Sequence, residues 1–177
     1  YSALKHPNWK MGKKISIDSA TMMNKVFEII EAKKIFDLKY KQLKILVHPK
    51  SYAHALIQFK NGLTKLLIHD TNMSIPIFNT LYELNEKKIK SKNLDFSIIN
   101  NLRFEKINFK MFPVVKILNN MQNNHSLFET IIVAANDQLV EMFLDNKIQF
   151  LDISRILLRT LKNKEFLKYK QIKPKNI

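Results

Sequence analysis

Between Gly12 and Pro49 the chain contains neither glycine nor proline, and Met22, Met23, Val26, Phe27 and Ile30, then Ile35 and Phe36, recur there at helical spacing. A run of that length without a breaker commits the segment to an amphipathic helix with a heavily buried face. Asp18, Ser19 and Thr21 precede most of the periodic residues, and their oxygens can accept the orphan N–H groups of a first turn. The sequence therefore predicts a short alternating stretch at 15–17 and a helix that begins at 18–21, with Ser19 at its N-terminus, and runs to about Lys34.

Further on, residues 43–47, 53–59 and 64–68 read as short strands, the last two joined across Lys60-Asn61-Gly62, which carries a hairpin turn signal. Ser74-Ile75-Pro76-Ile77 opens another helix, with Pro76 in a first turn where a missing N–H costs nothing. From 86 to 112 the pattern degrades into charged and Asn-rich residues and reads as a linker. Pro113 restarts regular structure, and helices are expected over 113–121, 128–144 and 152–161. The tail from Lys168 is basic and weakly patterned, and is expected to fray. The fold class is α+β.

With 46% apolar residues the chain can bury a real core, yet no apolar run approaches the roughly 18 residues of a membrane span. The absence of cysteine excludes disulfides and thiolate metal sites, and fits a reducing compartment. The formal net charge is +15, and 27 lysines carry it against three arginines. Nucleic-acid recognition favours arginine forks and aromatic platforms, so a lysine excess spread along the whole chain is a weak sign of it. A basic nucleic-acid-binding module is the alternative from another functional class. The chain opens on Tyr1 without a targeting pattern, and a fragment of a longer protein is expected.

The densest polar constellation lies between His6 and Glu28. A helix N-terminus bearing the Ser19 hydroxyl, with Lys25 just inside, suits a phosphate, because free N–H groups and the macrodipole favour an anion. Glu28 would be repelled by that anion, and its hard carboxylate suits Mg2+ or Mn2+ at the other end of a substrate. Asn24, four residues before Glu28, shares its face. On patterning alone the same residues read more simply as a cap, two solvated side chains and a surface ion pair.

The string from His6 through Pro7-Asn8-Trp9-Lys10-Met11-Gly12 to Asp18-Ser19-Ala20-Thr21-Met22-Met23-Asn24-Lys25 closely resembles the signature of the 1-deoxy-D-xylulose 5-phosphate reductoisomerase family. The likeness continues through Glu28-Ile29-Ile30-Glu31-Ala32, His48-Pro49-Lys50-Ser51 with His54, Asn72-Met73 before Pro76-Ile77, Leu94-Asp95-Phe96 and Ala134-Ala135-Asn136-Asp137. It covers nearly the whole chain in family order. Departures are Val26 in place of Gly, Lys50 in place of Gln, Ser74 in place of Arg, and Val133 and Asp137 in place of Asn and Glu.

The resemblance implies an enzyme that rearranges 1-deoxy-D-xylulose 5-phosphate and reduces the product with NADPH to 2-C-methyl-D-erythritol 4-phosphate, using Mg2+ or Mn2+, in isoprenoid synthesis. It implies that Ser19, Asn24 and Lys25 bind the substrate, chiefly at its phosphate, that Glu28 ligates the metal, and that His6 contacts substrate as a catalytic group beside Glu28. Trp9 and Met11 would form a lid, and Gly12 would let backbone approach NADPH. His48, Ser51 and His54 belong to the pattern without an assigned role.

By the same resemblance, residues 1–85 are the second half of a catalytic domain, with a long active-site helix and a small sheet. Residues 86–112 are a linker and 113–177 a helical C-terminal domain. The NADPH-binding domain and the family's Asp-Ser-Glu metal motif are missing from this chain, so by itself it is expected to be inactive. The whole protein is expected to be a cytoplasmic homodimer, or to lie in a plastid-type organelle in a eukaryote, with no membrane or nucleic-acid partner.

Overall fold

The computed structural model describes residues 12–82, 87–93 and 95–175. It opens with two helices, α1 (Lys13–Thr21) and α2 (Met23–Ile35). Met22 separates them in the left-handed region, at φ 64° and ψ 17°, and donates its N–H to the Ser19 carbonyl at 3.1 Å. Regular structure thus begins earlier than the sequence predicts, and the expected alternating stretch at 15–17 is helical. The reason lies in what this segment packs against. Ile17 and, one turn on, Thr21 are both buried, and covering that face requires a helical repeat rather than a two-residue one.

After a 3-10 turn at Tyr40–Gln42 come β1 (Leu46–Val47), β2 (Ala53–Gln58), β3 (Thr64–Ile68), α3 (Ser74–Leu81), α4 (Phe96–Asn100) and β4 (Glu105–Lys106). A 3-10 helix at Pro113–Asn120 leads into α5 (Phe128–Leu144), α6 (Phe150–Thr160), α7 (Lys164–Leu167) and a last 3-10 turn at Lys168–Lys170. The stretch read as a linker therefore carries α4 and β4. The tail is tied down as far as Ile172, because Leu127 donates its N–H to the Ile172 carbonyl at 2.9 Å and Lys170 Nζ donates to the Asn120 carbonyl at 3.0 Å.

The described chain divides into two compact units, one running up to Ile45 and resuming at Ile107, the other Leu46–Lys106. The boundary expected near residue 85 falls inside the second. In the first unit, Ile17 of α1 and Met23, Val26 and Ile30 of α2 join Val114, Val115 and Ile117, Phe128, Ile132, Leu139 and Val140 of α5, and Ile153, Leu157 and Leu161 in one core. Ile153 and Leu157 of α6 and Leu161 at its C-terminal end recur every fourth residue, the spacing by which the helix is legible in the sequence. Val26, where the resembled family has glycine, is fully buried in this core.

The second unit holds two separate two-stranded antiparallel sheets, β2 with β3 and β1 with β4. In the hairpin Gly62 adopts φ 87°, a value at which a side chain is strained, so glycine is required at the expected turn. The partner of β1 is the distant β4, in register Leu46 to Lys106 and Val47 to Glu105. None of the described residues of this unit is buried, and Leu56, Ile57, Leu63 and Leu67 leave the hairpin apolar and exposed.

Candidate active site

Ser19 lies in the last turn of α1, not at a helix N-terminus, and this corrects the sequence expectation. The helix N-terminus beside Lys25 belongs instead to α2, where Met22 interrupts the helix and Asn24 and Lys25 occupy the first turn. No side chain caps the α2 start. The nearest substitutes are Thr21 Oγ1, which accepts from the Met23 N–H at 3.4 Å, and Asn24 Oδ1, which accepts from the Lys25 N–H at 2.8 Å. Ser19 is half-buried on the other side of the break, and its carbonyl is the acceptor that closes α1.

Lys25 and Glu28 are brought together directly. Lys25 Nζ lies 2.8 Å from Oε1 and 2.6 Å from Oε2 of Glu28, both side chains being about half exposed. The residue assigned to a phosphate and the one assigned to a cation thus neutralise each other across one turn of α2. Such an exposed pair contributes little to stability, so it can be exchanged for ligands at small cost.

A buried polar network links α1 to α5. Asp18 is 4% exposed and Asn136, on α5, is fully buried. Asn136 Nδ2 donates to Asp18 Oδ1 at 2.7 Å, and Lys14 Nζ donates to Asp18 Oδ2 at 2.8 Å and lies 3.0 Å from Asp137 Oδ1. Burial works against the Lys14 ammonium, but its bonds to Asp18 and Asp137 outweigh that and raise its pKa. Asp137, where the resembled family has glutamate, thus shares a lysine with the buried Asp18.

In the sequence Asp18 reads only as part of a helix start and Asn136 only as part of the family string, and Lys14 has no role. A signal for Asn136 was present: Phe128, Ile132, Asn136, Leu139 and Val140 form the buried stripe of α5, and a lone amide within such a stripe needs a partner.

A second tie connects α2 to α5. Glu129, also buried, faces Lys34 Nζ at 2.7 Å and accepts from the Tyr40 hydroxyl at 3.2 Å. Burial, reinforced by the Glu129 carboxylate, pushes the Tyr40 phenol well above the ordinary tyrosine range.

His6, Trp9 and Met11 lie outside the described residues. Gly12 has φ −59° and ψ 155°, which any residue can adopt, and a Cβ there would meet none of the described residues within 4 Å. Its backbone therefore gives no reason of its own for glycine. In the second unit His48 Nδ1 lies 3.0 Å from the Arg103 carbonyl, and the rings of His54 and His69 stack 3.6 Å apart. Ser51 takes a positive φ of 57° and donates its N–H to the His48 carbonyl.

Among the described residues no cluster of three or more His, Asp or Glu side chains could hold a metal. Glu28 suits a divalent cation chemically but supplies a single carboxylate, and Mg2+ or Mn2+ needs several oxygen ligands. The described residues therefore do not form a complete metal site by themselves.

Two family models match the chain. One, described as the DXP reductoisomerase C-terminal domain, covers residues 69–176, and the other, the 1-deoxy-D-xylulose 5-phosphate reductoisomerase C-terminal domain, covers residues 1–36. The chain is 66% identical over 175 residues to the 1-deoxy-D-xylulose 5-phosphate reductoisomerase of Pelagibacter ubique strain HTCC1062, covering 99% of this chain and 45% of that protein. It is 40% identical over 155 residues to the Clostridium kluyveri enzyme of the same name, covering 88% and 40%. A solved structure of the Zymomonas mobilis enzyme with NADPH superimposes with a TM-score of 0.81 at 34% identity, over 98% of this chain and 43% of that one. A DOX-P reductoisomerase complex with NADPH, fosmidomycin and magnesium gives 0.80, also at 34% identity, over 96% and 41%. The chain spans less than half the length of each of these proteins.

Proposed function

The chain belongs to the 1-deoxy-D-xylulose 5-phosphate reductoisomerase family, and from that membership we propose that it supplies the substrate-binding helices of such an enzyme. The reaction is the conversion of 1-deoxy-D-xylulose 5-phosphate to 2-C-methyl-D-erythritol 4-phosphate. NADPH supplies the hydride, and a divalent cation, Mg2+ or Mn2+, polarises the substrate oxygens when bound.

The observation that carries the site is the Lys25–Glu28 pair at the start of α2. Lys25 binds the substrate phosphate together with the N–H groups of the α2 start, which exchange their local side-chain acceptors for it, and Asn24 and Ser19 add polar contacts on either side of Met22. The anion draws Lys25 away from Glu28, and the freed carboxylate is a ligand for the cation. His6 touches the substrate, Trp9 and Met11 close over it and exclude water, and Gly12 lies along the NADPH path.

The remainder of the catalytic machinery, including the nicotinamide-binding domain, lies outside this sequence. The catalytic residues proposed above all fall within residues 1–85; residues 86–112, which carry α4 and β4, lead from there to the helical part at 113–177. The whole enzyme is a cytoplasmic homodimer, and the chain alone is inactive. No described helix is long and apolar enough to cross a membrane. The nucleic-acid alternative has no support from the relatives named above.

The test joins this chain to the N-terminal part of the Pelagibacter ubique relative and follows NADPH consumption with 1-deoxy-D-xylulose 5-phosphate and Mg2+. Turnover by the chimera and none by the chain alone is the expected result. A well-folded chimera without turnover, which the unmodified relative shows under the same conditions, would overturn the proposal.

A further inference from the structure

We propose that Asn136, near the middle of α5, is a positioning residue of the substrate site and acts through Asp18 on the last turn of α1. The assignment rests on Ser19 and the α2 start touching substrate, as proposed above. Asn136 is fully buried on the core-facing stripe of α5, where an apolar residue would pack without polar cost. Its amide spans 118 residues of sequence to donate 2.7 Å to Asp18 Oδ1.

Asp18 is itself buried, and Lys14 Nζ holds its other oxygen at 2.8 Å. Both carboxylate oxygens are thereby fixed, one from α1 itself and one from α5. Ser19 is the next residue, and its carbonyl is the acceptor that closes α1 at Met22. Thr21 Oγ1, at the same turn, donates to the Ile17 carbonyl at 2.9 Å and accepts from the Met23 N–H. The left-handed break that creates the α2 N-terminus is therefore anchored from α1, and α1 is anchored by Asn136. A non-glycine residue at positive φ persists only where its surroundings over-determine it, and this network supplies that constraint.

The consequence is a coupling between the helical C-terminal part and the substrate-binding turn. Loss of the Asn136 bond leaves Asp18 Oδ1 without its partner and lets the α1 end shift, which misplaces Ser19 and the first turn of α2 relative to the phosphate. That raises KM more than it lowers kcat, because the groups displaced bind the substrate at a distance from the reacting atoms.

The experiment uses the chimera described above, with KM, kcat and melting temperature measured on each variant. Asn136→Asp sets two carboxylates against each other, and KM for 1-deoxy-D-xylulose 5-phosphate is expected to rise about tenfold or more at temperatures where the variant is fully folded. The double variant Asp18→Asn with Asn136→Asp restores a donor and an acceptor in the reverse sense, and its KM is expected to return to within about threefold of the parent. Where Asn136→Asp does not fold, Asn136→Ser, too short to reach Asp18, is read by the same criterion. A lowered melting temperature with unchanged KM, or a double variant no better than the single one, overturns the proposal and leaves Asn136 a stabilising contact only. Ser19→Ala and Lys25→Ala separate the two levels. If they raise KM and the Asn136 variants do not, the positioning role alone is wrong; if they too leave KM unchanged, the substrate site is wrong and the positioning role falls with it.

Discussion

Lys25 Nζ stands 2.6 Å from Glu28 Oε2, so the cation proposed to bind a phosphate and the carboxylate proposed to ligate a metal are held against each other at the start of one helix. The pair keeps the two charges compensated without burying either, which leaves both accessible.

Glu28→Gln keeps the shape of the side chain and removes the charge that a hard cation requires. In the chimera, turnover should fall sharply and the apparent affinity for Mn2+ should weaken. Titration of activity with Mn2+ checks this, and unchanged turnover and metal affinity would remove Glu28 from the site.

Lys25→Ala removes a charge-assisted contact of about 1.5 to 3 kcal/mol, and the half-exposed position favours the lower end, or roughly a tenfold rise in KM. Steady-state kinetics with the phosphorylated substrate test it. An unchanged KM would move the phosphate elsewhere.

Trp9 is the sole tryptophan, flanked by Pro7, Lys10 and Gly12, so its fluorescence reports one segment. In the chimera a phosphonate such as fosmidomycin with Mg2+ should shift or quench the emission as the segment closes. In the chain alone the same addition should leave it nearly unchanged. Blue-shifted, ligand-insensitive emission in both proteins would make Trp9 a core residue rather than a lid.

Tyr40 carries a phenol whose pKa is raised by burial and by Glu129. Its folded pKa lies above the unfolded value, so its contribution to stability is complete below the ordinary tyrosine pKa of about 10 and is lost as the pH rises beyond it. Spectrophotometric titration should show that Tyr40→Phe removes a phenol ionising above the ordinary tyrosine value of about 10. If the lost phenol instead titrates at about 10, the buried contact with Glu129 does not form.

Leu157 and Ile132 are fully buried in the core of the first unit. Leu157→Ala should cost about 2 to 5 kcal/mol, since the cavity adds to the lost transfer energy. Denaturant melts of the chimera provide the measurement, and a change below about 1 kcal/mol would contradict this packing.

Much of the fold was written locally. The fourfold spacing of Ile153, Leu157 and Leu161, the stripe of α5 and the Asn61-Gly62 turn each announce their element within a few residues, because helix period and turn chemistry are properties of neighbours in sequence. The family string around Ser19, Asn24, Lys25 and Glu28 was equally plain, and the single-turn spacing of Lys25 and Glu28 allowed their pairing.

Where α1 begins, where it breaks and what secures it were decided elsewhere. Residues 15–17 alternate as a strand would, yet they are helical because Ile17 must meet the core shared with α5 and α6. Ser19 resembled a cap, but the chain turns left-handed three residues later, at Met22. β1 took a strand nearly sixty residues away as its partner, and Asp18 took Asn136 from across 118 residues. No local pattern encodes such pairings. A buried carboxylate or an open strand edge is satisfied only by the group that folding brings to it, and that group is chosen by the packed structure as a whole.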